Sequence, residues 1–192
     1  MKVVAFNASP RWEGNTDRLI RTVLGVLEDE GIDTHIVHIG GKTLHGCTAC
    51  MRCRERQNER CAIETDQINE YIQLMKEADG IIIGSPTYFA DITPEAKALI
   101  DRTGYVMRGN GNMLRRKVGA AVIAVRRAGS IHAYDTINHF FGINEMITIG
   151  SSYWNMGIGL NPGDVEDDAE GMKTMETLGR NMAWALKRLH AE

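Results

Sequence analysis

Cys47, Cys50, Cys53 and Cys61 fall within one short stretch, and the chain has no other cysteine. Their spacing, Cys47-x2-Cys50-x2-Cys53-x7-Cys61, contains the C-x2-C-x2-C core that lets consecutive thiolates face one [4Fe-4S] cube, with a fourth ligand arriving from farther along. No proline follows Cys61, unlike the bacterial ferredoxin run. Four thiolates could instead close a tetrahedral zinc site, although such sites usually pair two C-x2-C knuckles. A third reading leaves them as free thiols that respond to redox state. Disulfide staples join distant parts of small secreted domains, so this packed group points to a local metal or redox role. The neighbouring His45 reads as a surface loop residue and not as a ligand.

A second group of residues suits a phosphate monoester. Ser9-Pro10-Arg11-Trp12-Glu13-Gly14-Asn15-Thr16 offers hydroxyls, an amide, a guanidinium and the free N–H groups of a helix start, where an anion is favoured. Neither G-x-x-x-x-G-K-[ST] nor G-x-G-x-x-G is present, which argues against nucleoside triphosphates and dinucleotides. The plain alternative is a capped turn with Asn15 or Thr16 as the cap. Ser85-Pro86-Thr87-Tyr88-Phe89 and Arg126-Arg127-Ala128-Gly129 are two further loops rich in polar and aromatic groups. Taken singly, Tyr88 and Phe89 could be ordinary packing and Arg126 and Arg127 a solvated turn.

The elements that must position these groups alternate regularly. Lys2 to Phe6 is a short β-branched run that breaks at Asn7-Ala8-Ser9-Pro10. Leu19, Ile20, Val23, Leu24 and Leu27 then recur at helical spacing up to Gly31. Strands are expected at Asp33 to Ile39, Gly80 to Gly84, Val118 to Val125 and Glu145 to Ile149. Helices are expected at about 66–77, 94–106, 131–141 and 166–189. Strand followed by helix five times over predicts an α/β fold, a doubly wound five-stranded parallel sheet, because parallel strands need crossover connections. Ligands on such sheets bind beyond the carboxyl ends of the strands. The loops after Phe6, Gly84 and Val125 therefore matter most.

The 192 residues fit a single domain, residues 1–192, with a cysteine-rich loop at about 45–62. A net charge of -3 gives no electrostatic reason for nucleic acid or an acidic membrane as partner. No apolar run approaches the ~20 residues that cross a bilayer, and no signal-like segment precedes Lys2, so a cytoplasmic location is expected. The aromatic segment Ser152-Tyr153-Trp154-Asn155-Met156-Gly157 reads as a cover over a bound ligand or a subunit contact, with packing favoured over catalysis. The acidic run Asp164, Glu166, Asp167, Asp168 and Glu170 reads as a solvated helix start.

The loops S-P-R-x-x-G-N-T after the first strand and S-P-T-Y-F after the third resemble those of the flavodoxin-like NADPH-dependent FMN reductase family. With the four cysteines after the second strand, the chain resembles the iron–sulfur flavoproteins within that family. The resemblance implies a flavodoxin-like sheet of strand order 2-1-3-4-5. It implies that Ser9, Arg11, Asn15 and Thr16 hold the phosphate of FMN. It further implies that Ser85, Pro86, Thr87, Tyr88 and Phe89 line the isoalloxazine ring, with Arg126, Arg127 and Gly129 on its other side. Cys47, Cys50, Cys53 and Cys61 would ligate a [4Fe-4S] cluster near the flavin. The expected activity is a flavin-borne oxidoreduction or electron transfer with no protein acid or base, small redox proteins or NAD(P)H acting as donor or acceptor. A homodimer or homotetramer is implied as well. The alternatives are a cluster-free NADPH-dependent FMN or quinone reductase, and a non-catalytic redox-sensing flavin or zinc module.

Overall fold

The computed structural model describes residues 1–190. Strand β1 (Lys2–Asn7) is buried from Val3 onward and lies between β2 (Asp33–His38) and β3 (Gly80–Pro86), with β4 (Val118–Val125) beyond β3. All pairings are parallel, and β5 (Ile147–Thr148) completes the order 2-1-3-4-5. Every residue of β4 is buried, which is why Val118 to Val125 is uniformly small and apolar and shows no alternation.

Helices cover both faces. Val3, Ala5, Ile82, Ala120 and Val122 point to one side, against α1 (Asn15–Asp29) and α6 (Ala169–Leu189). Val4, Phe6, Ile81, Ile83 and Ile123 point to the other, against α3 (Ile68–Glu77), α4 (Pro94–Gly109) and α5 (Ser130–Ile143). This alternation follows from the two-residue period of a strand. Leu19, Ile20, Val23 and Leu27 of α1 are fully buried, each worth about 1.5–3 kcal/mol in apolar transfer. A short helix, α2 (Arg52–Arg56), lies in the cysteine segment between β2 and α3.

The last strand departs from expectation. Of Glu145 to Ile149 only β5 pairs, with Val118 and Gly119, and a further strand β6 (Met156–Ile158) pairs with Ile123 to Val125. Gly150-Ser151-Ser152 supplies no apolar side chain to continue a buried edge, so the chain leaves the sheet and returns where Asn155 accepts from the Ile123 N–H at 3.0 Å. The acidic run is also more than a solvated start. It forms a 3-10 turn (Asp164–Asp167), and Asp168 caps α6 by accepting from the Gly171 N–H at 3.0 Å. Among the described residues, no helix is long and apolar enough to cross a membrane.

Candidate functional site

The carboxyl ends of β1, β3 and β4 lie side by side, with Asn7 level with Gly84 and Pro86 level with Ala124. The loops leaving them meet around one pocket lined by Ser9, Arg11, Asn15, Thr16, Pro86, Thr87, Tyr88 and Arg126. Gly159 and Leu160, just beyond β6, close its remaining side.

The first loop is shaped by its own hydrogen bonds. The Ser9 N–H donates to Asn7 Oδ1 at 3.0 Å and the Arg11 N–H to Ser9 Oγ at 3.2 Å, folding the segment tightly over the end of β1. Gly40 makes that turn possible: a Cβ there would stand 2.0 Å from the Ser9 carbonyl oxygen. Helix α1 then begins at Gly14 without a side-chain cap, so neither Asn15 nor Thr16 acts as one. Its first N–H groups are left without intrahelical acceptors.

Asn15 instead ties the far wall in place, its Oδ1 accepting from the Gly163 N–H at 2.9 Å and, more weakly, the Val165 N–H at 3.4 Å. Arg11 reaches the same wall and donates from Nη1 to the Leu160 carbonyl at 2.8 Å. Asp17, the acidic group of the first helical turn, is held by Arg21 at 2.6 Å and by Asn7 Nδ2 at 3.1 Å. Its charge is thereby offset beside the pocket.

Two hydroxyls decide the chemistry. Thr16 and Thr87 both line this pocket, and the hydroxyl oxygen of each is buried with no hydrogen-bond partner among the described residues. A buried hydroxyl without a partner costs about 1–3 kcal/mol, and a bound acceptor relieves that cost. Uncapped helix N–H groups, an orphaned threonine beside them and two arginines suit a phosphate monoester carrying a polar ring system.

Four of the expected contacts stand outside the pocket lining. Ser85 is buried and works as a staple, donating to the Pro86 carbonyl at 2.8 Å and accepting from the Thr93 N–H at 3.1 Å. Phe89 is fully exposed. It sits with Ala90 at the centre of a tight turn, φ 47° and 64°, closed by paired bonds between Tyr88 and Asp91 at 2.7 and 3.0 Å. That turn favours Asn-Gly, so placing Phe-Ala there stores strain. Gly129 braces it at φ 89°, where a Cβ would come within 2.8 Å of Ala90 Cα. Arg127 points to solvent.

The cysteines form a second pocket. Cys47, Cys50, Cys53 and Cys61 all line it, together with Ile63, Arg102 and Tyr105. Cys47 and Cys50 are exposed, Cys53 is buried, and Cys61 is intermediate. The backbone N–H of Arg52 lowers the Cys50 thiol below its usual range, whereas burial, followed by the nearby Cys61, raises that of Cys53. Among the described residues, no three His, Cys, Asp or Glu side chains converge on a point that would hold one metal ion. A tetrahedral zinc would draw all four sulfurs to about 2.3 Å from one centre, whereas a cube holds each at its own corner. Four cysteines around one cavity supply the donor set that either centre would need. The void among them is about 20 Å³, enough for about one water, so the exposed Cys47–Cys50 stretch must swing outward to admit anything larger.

Comparison with known proteins gives this geometry its family. Residues 1–161 match the model of the NADPH-dependent FMN reductases. An iron–sulfur flavoprotein of Methanocaldococcus jannaschii is 39% identical, covering 97% of this chain and 98% of its own. Another, from Methanosarcina thermophila, is 32% identical over 97% and 96%. The chain belongs to the NADPH-dependent FMN reductase family, in its iron–sulfur flavoprotein branch.

Solved structures agree on the fold. A flavone reductase superposes with a TM-score of 0.76 at 18% identity, covering all of this chain and 65% of that one. An archaeal flavodoxin gives 0.63 at 18%, covering 97% and 99%. This family member is accordingly a flavin-dependent oxidoreductase with a flavodoxin-like sheet.

Several positions that build its two pockets carry no signal in the sequence. Gly159 and Leu160 follow an unforeseen strand, and Leu160 is held by its N–H donating to Asp164 at 3.1 Å. Asn69 brackets Cys61, accepting its N–H at 2.8 Å and donating to its carbonyl at 3.0 Å. Asn110 donates to the Cys53 carbonyl at 3.2 Å and accepts from the Glu59 N–H at 2.9 Å. Asn69 lies on α3, eight residues past Cys61, whereas Asn110, at the end of α4, is brought to Cys53 only by the fold.

Proposed function

We propose that this protein binds FMN in the pocket formed by the loops after β1, β3 and β4, and relays electrons between that flavin and a [4Fe-4S] cluster held by Cys47, Cys50, Cys53 and Cys61. The observation that carries the flavin half is the pair of buried, unpartnered hydroxyls of Thr16 and Thr87 in one pocket. Bound there, the flavin would exchange reducing equivalents in pairs or singly, and a cluster on the cysteines would pass them on singly.

The chain's own part is positioning. Thr16 Oγ1 and the N–H groups opening α1 donate to the phosphate, and Thr87 with Pro86 and Tyr88 lies along the ring. Arg11, now on the Leu160 carbonyl, is near enough to turn toward the phosphate or to keep the far wall closed over it. Arg126 adds positive charge where a reduced ring gathers negative charge. No acid or base is assigned, because the redox chemistry would be the flavin's own.

The exposed Cys47 and Cys50 place one edge of the cysteine pocket at the surface, which suits transfer to and from small redox proteins, with NAD(P)H as a further donor. Exposed Phe89, Tyr153 and Trp154 suit a homodimer or homotetramer. The narrow void among the thiols favours a second reading, a cluster-free NADPH-dependent reductase in which the flavin acts alone.

Replacing Cys50 and Cys53 by serine separates the two. Under the relay the variant keeps its flavin and its reduction by a chemical donor but loses at least tenfold in turnover with a one-electron protein acceptor. Undiminished turnover with that acceptor would leave the flavin-only reductase standing.

A further inference from the structure

Arg102 lies in the middle of α4 and is fully buried, where its neighbours Leu99, Thr103 and Val106 are buried too. A cation in that position is costly unless its donors are met, and they are met by one segment alone. Nε donates to Cys61 Sγ at 3.3 Å, Nη1 to the His45 carbonyl at 3.1 Å, and Nη2 to the Ile63 carbonyl at 2.9 Å. Nη1 also pairs with the buried carboxylate of Asp66, which accepts the His45 N–H at 2.9 Å.

The guanidinium therefore grips both ends of the cysteine segment, His45 before its first cysteine, Cys61 as its last, and Ile63 and Asp66 beyond it. Its planar fork allows several bonds in fixed directions, which a point-like ammonium does not. Cys61 is separated from Cys53 by seven residues that include no regular element after Arg56, so local structure alone does not set its sulfur.

We propose that Arg102 is a positioning residue for the cluster: it clamps the cysteine segment shut at its base, fixes the Cys61 sulfur, and lays an N–H and a positive charge against that one ligand. The proposal rests on reading the cysteines as a cluster site. Four thiolates around a cube carry net negative charge, and a donor and cation at one sulfur favour the reduced form and raise its potential. The carboxylate of Asp66 balances Arg102 before loading and keeps the clamp closed without iron.

The test compares wild-type protein with R102K, R102M and R102M/D66N, the double variant removing both buried charges so that folding does not fail on an uncompensated carboxylate. Hydrogen exchange is followed by mass spectrometry in iron-free protein. Iron, acid-labile sulfide and the cluster potential are measured after anaerobic reconstitution. Expected are at least tenfold faster exchange over residues 58–66 in R102M and R102M/D66N, with Val118–Val125 unchanged. Iron per chain should fall by at least half, the loaded fraction should have a more negative potential, and R102K should fall between.

Wild-type exchange over residues 58–66 in the double variant would overturn the clamp. A loaded fraction with the wild-type potential would overturn the role at Cys61. Should wild-type protein take up no iron, the cluster reading fails, and the iron-free exchange comparison still decides whether Arg102 holds the segment.

Discussion

Thr16 gives the sharpest prediction at the scale of a single residue. Its hydroxyl is buried and unpartnered, so the isosteric Thr16→Val change removes no contact inside the chain and deletes only what the pocket offers a ligand. Hydrogen bonds to charged groups are worth about 1.5–3 kcal/mol, so FMN should bind roughly 10- to 100-fold more weakly, read by quenching of flavin fluorescence, with the melting temperature unchanged or higher. An unaltered affinity would remove the phosphate from the start of α1. Thr16 is legible in the sequence because Ser9 to Thr16 is contiguous and its residue types suit one anion. Arg102 is not, because an arginine inside a helix reads as a solvated face until the fold buries it against a cysteine forty-one positions away. Ser85 shows the converse limit: its type and place suit a ligand contact, and the structure turns it inward to staple the loop to Thr93.

Among the elements, the wall of residues 158–161 is held by carboxylates that follow it, Asp164 on Leu160 and Asn161 and Asp168 on Ile158. Asp168 caps α6 and also accepts the Ile158 N–H at 2.7 Å, so a single carboxylate joins the last helix to the strand beside the pocket. Asp168→Ala should cost about 1–2 kcal/mol of stability, as lost caps do, measured by urea unfolding. It should also speed FMN release, because Ile158, which leads into Gly159 and Leu160, loses its bond to the last helix. A stability loss without faster release would make Asp168 a helix cap only. Three of the first four strands are legible as short apolar runs, β1 breaking at Asn7, β3 ending at Pro86, and β4 beginning and ending where its apolar run meets Lys117 and Arg126. The fifth is not, because Ile147 and Thr148 are exposed and the ladder resumes only after Asn155. Nothing in local propensity marks that return.

For the whole molecule, the packing between α3 and the sheet has a pH signature. Tyr71 is buried against Phe6, ring centroids 5.7 Å apart, and burial, with smaller contributions from Glu70 and Asp66, pushes its hydroxyl from 10.0 up to about 12. The folded form thus keeps a proton that the unfolded chain gives up near pH 10. The stability involved is fully present below pH 10 and is lost as pH rises from about 10 to 12, amounting to about 3 kcal/mol. Thermal melts across that range should show the decline, and Tyr71→Phe should flatten it; an equally steep decline in the variant would assign it elsewhere. FMN is expected at the ends of β1, β3 and β4, and the cysteines lie on the connection from β2 to α3, against α4. The measurement that tests this account most directly is quantitation of flavin, iron and acid-labile sulfide on one anaerobic preparation. The account predicts one FMN with about four irons and matching sulfide per chain, as a cube on four cysteines requires. A preparation that holds its flavin but takes up no iron on anaerobic reconstitution would contradict the electron relay, and one that binds no FMN would contradict the site itself.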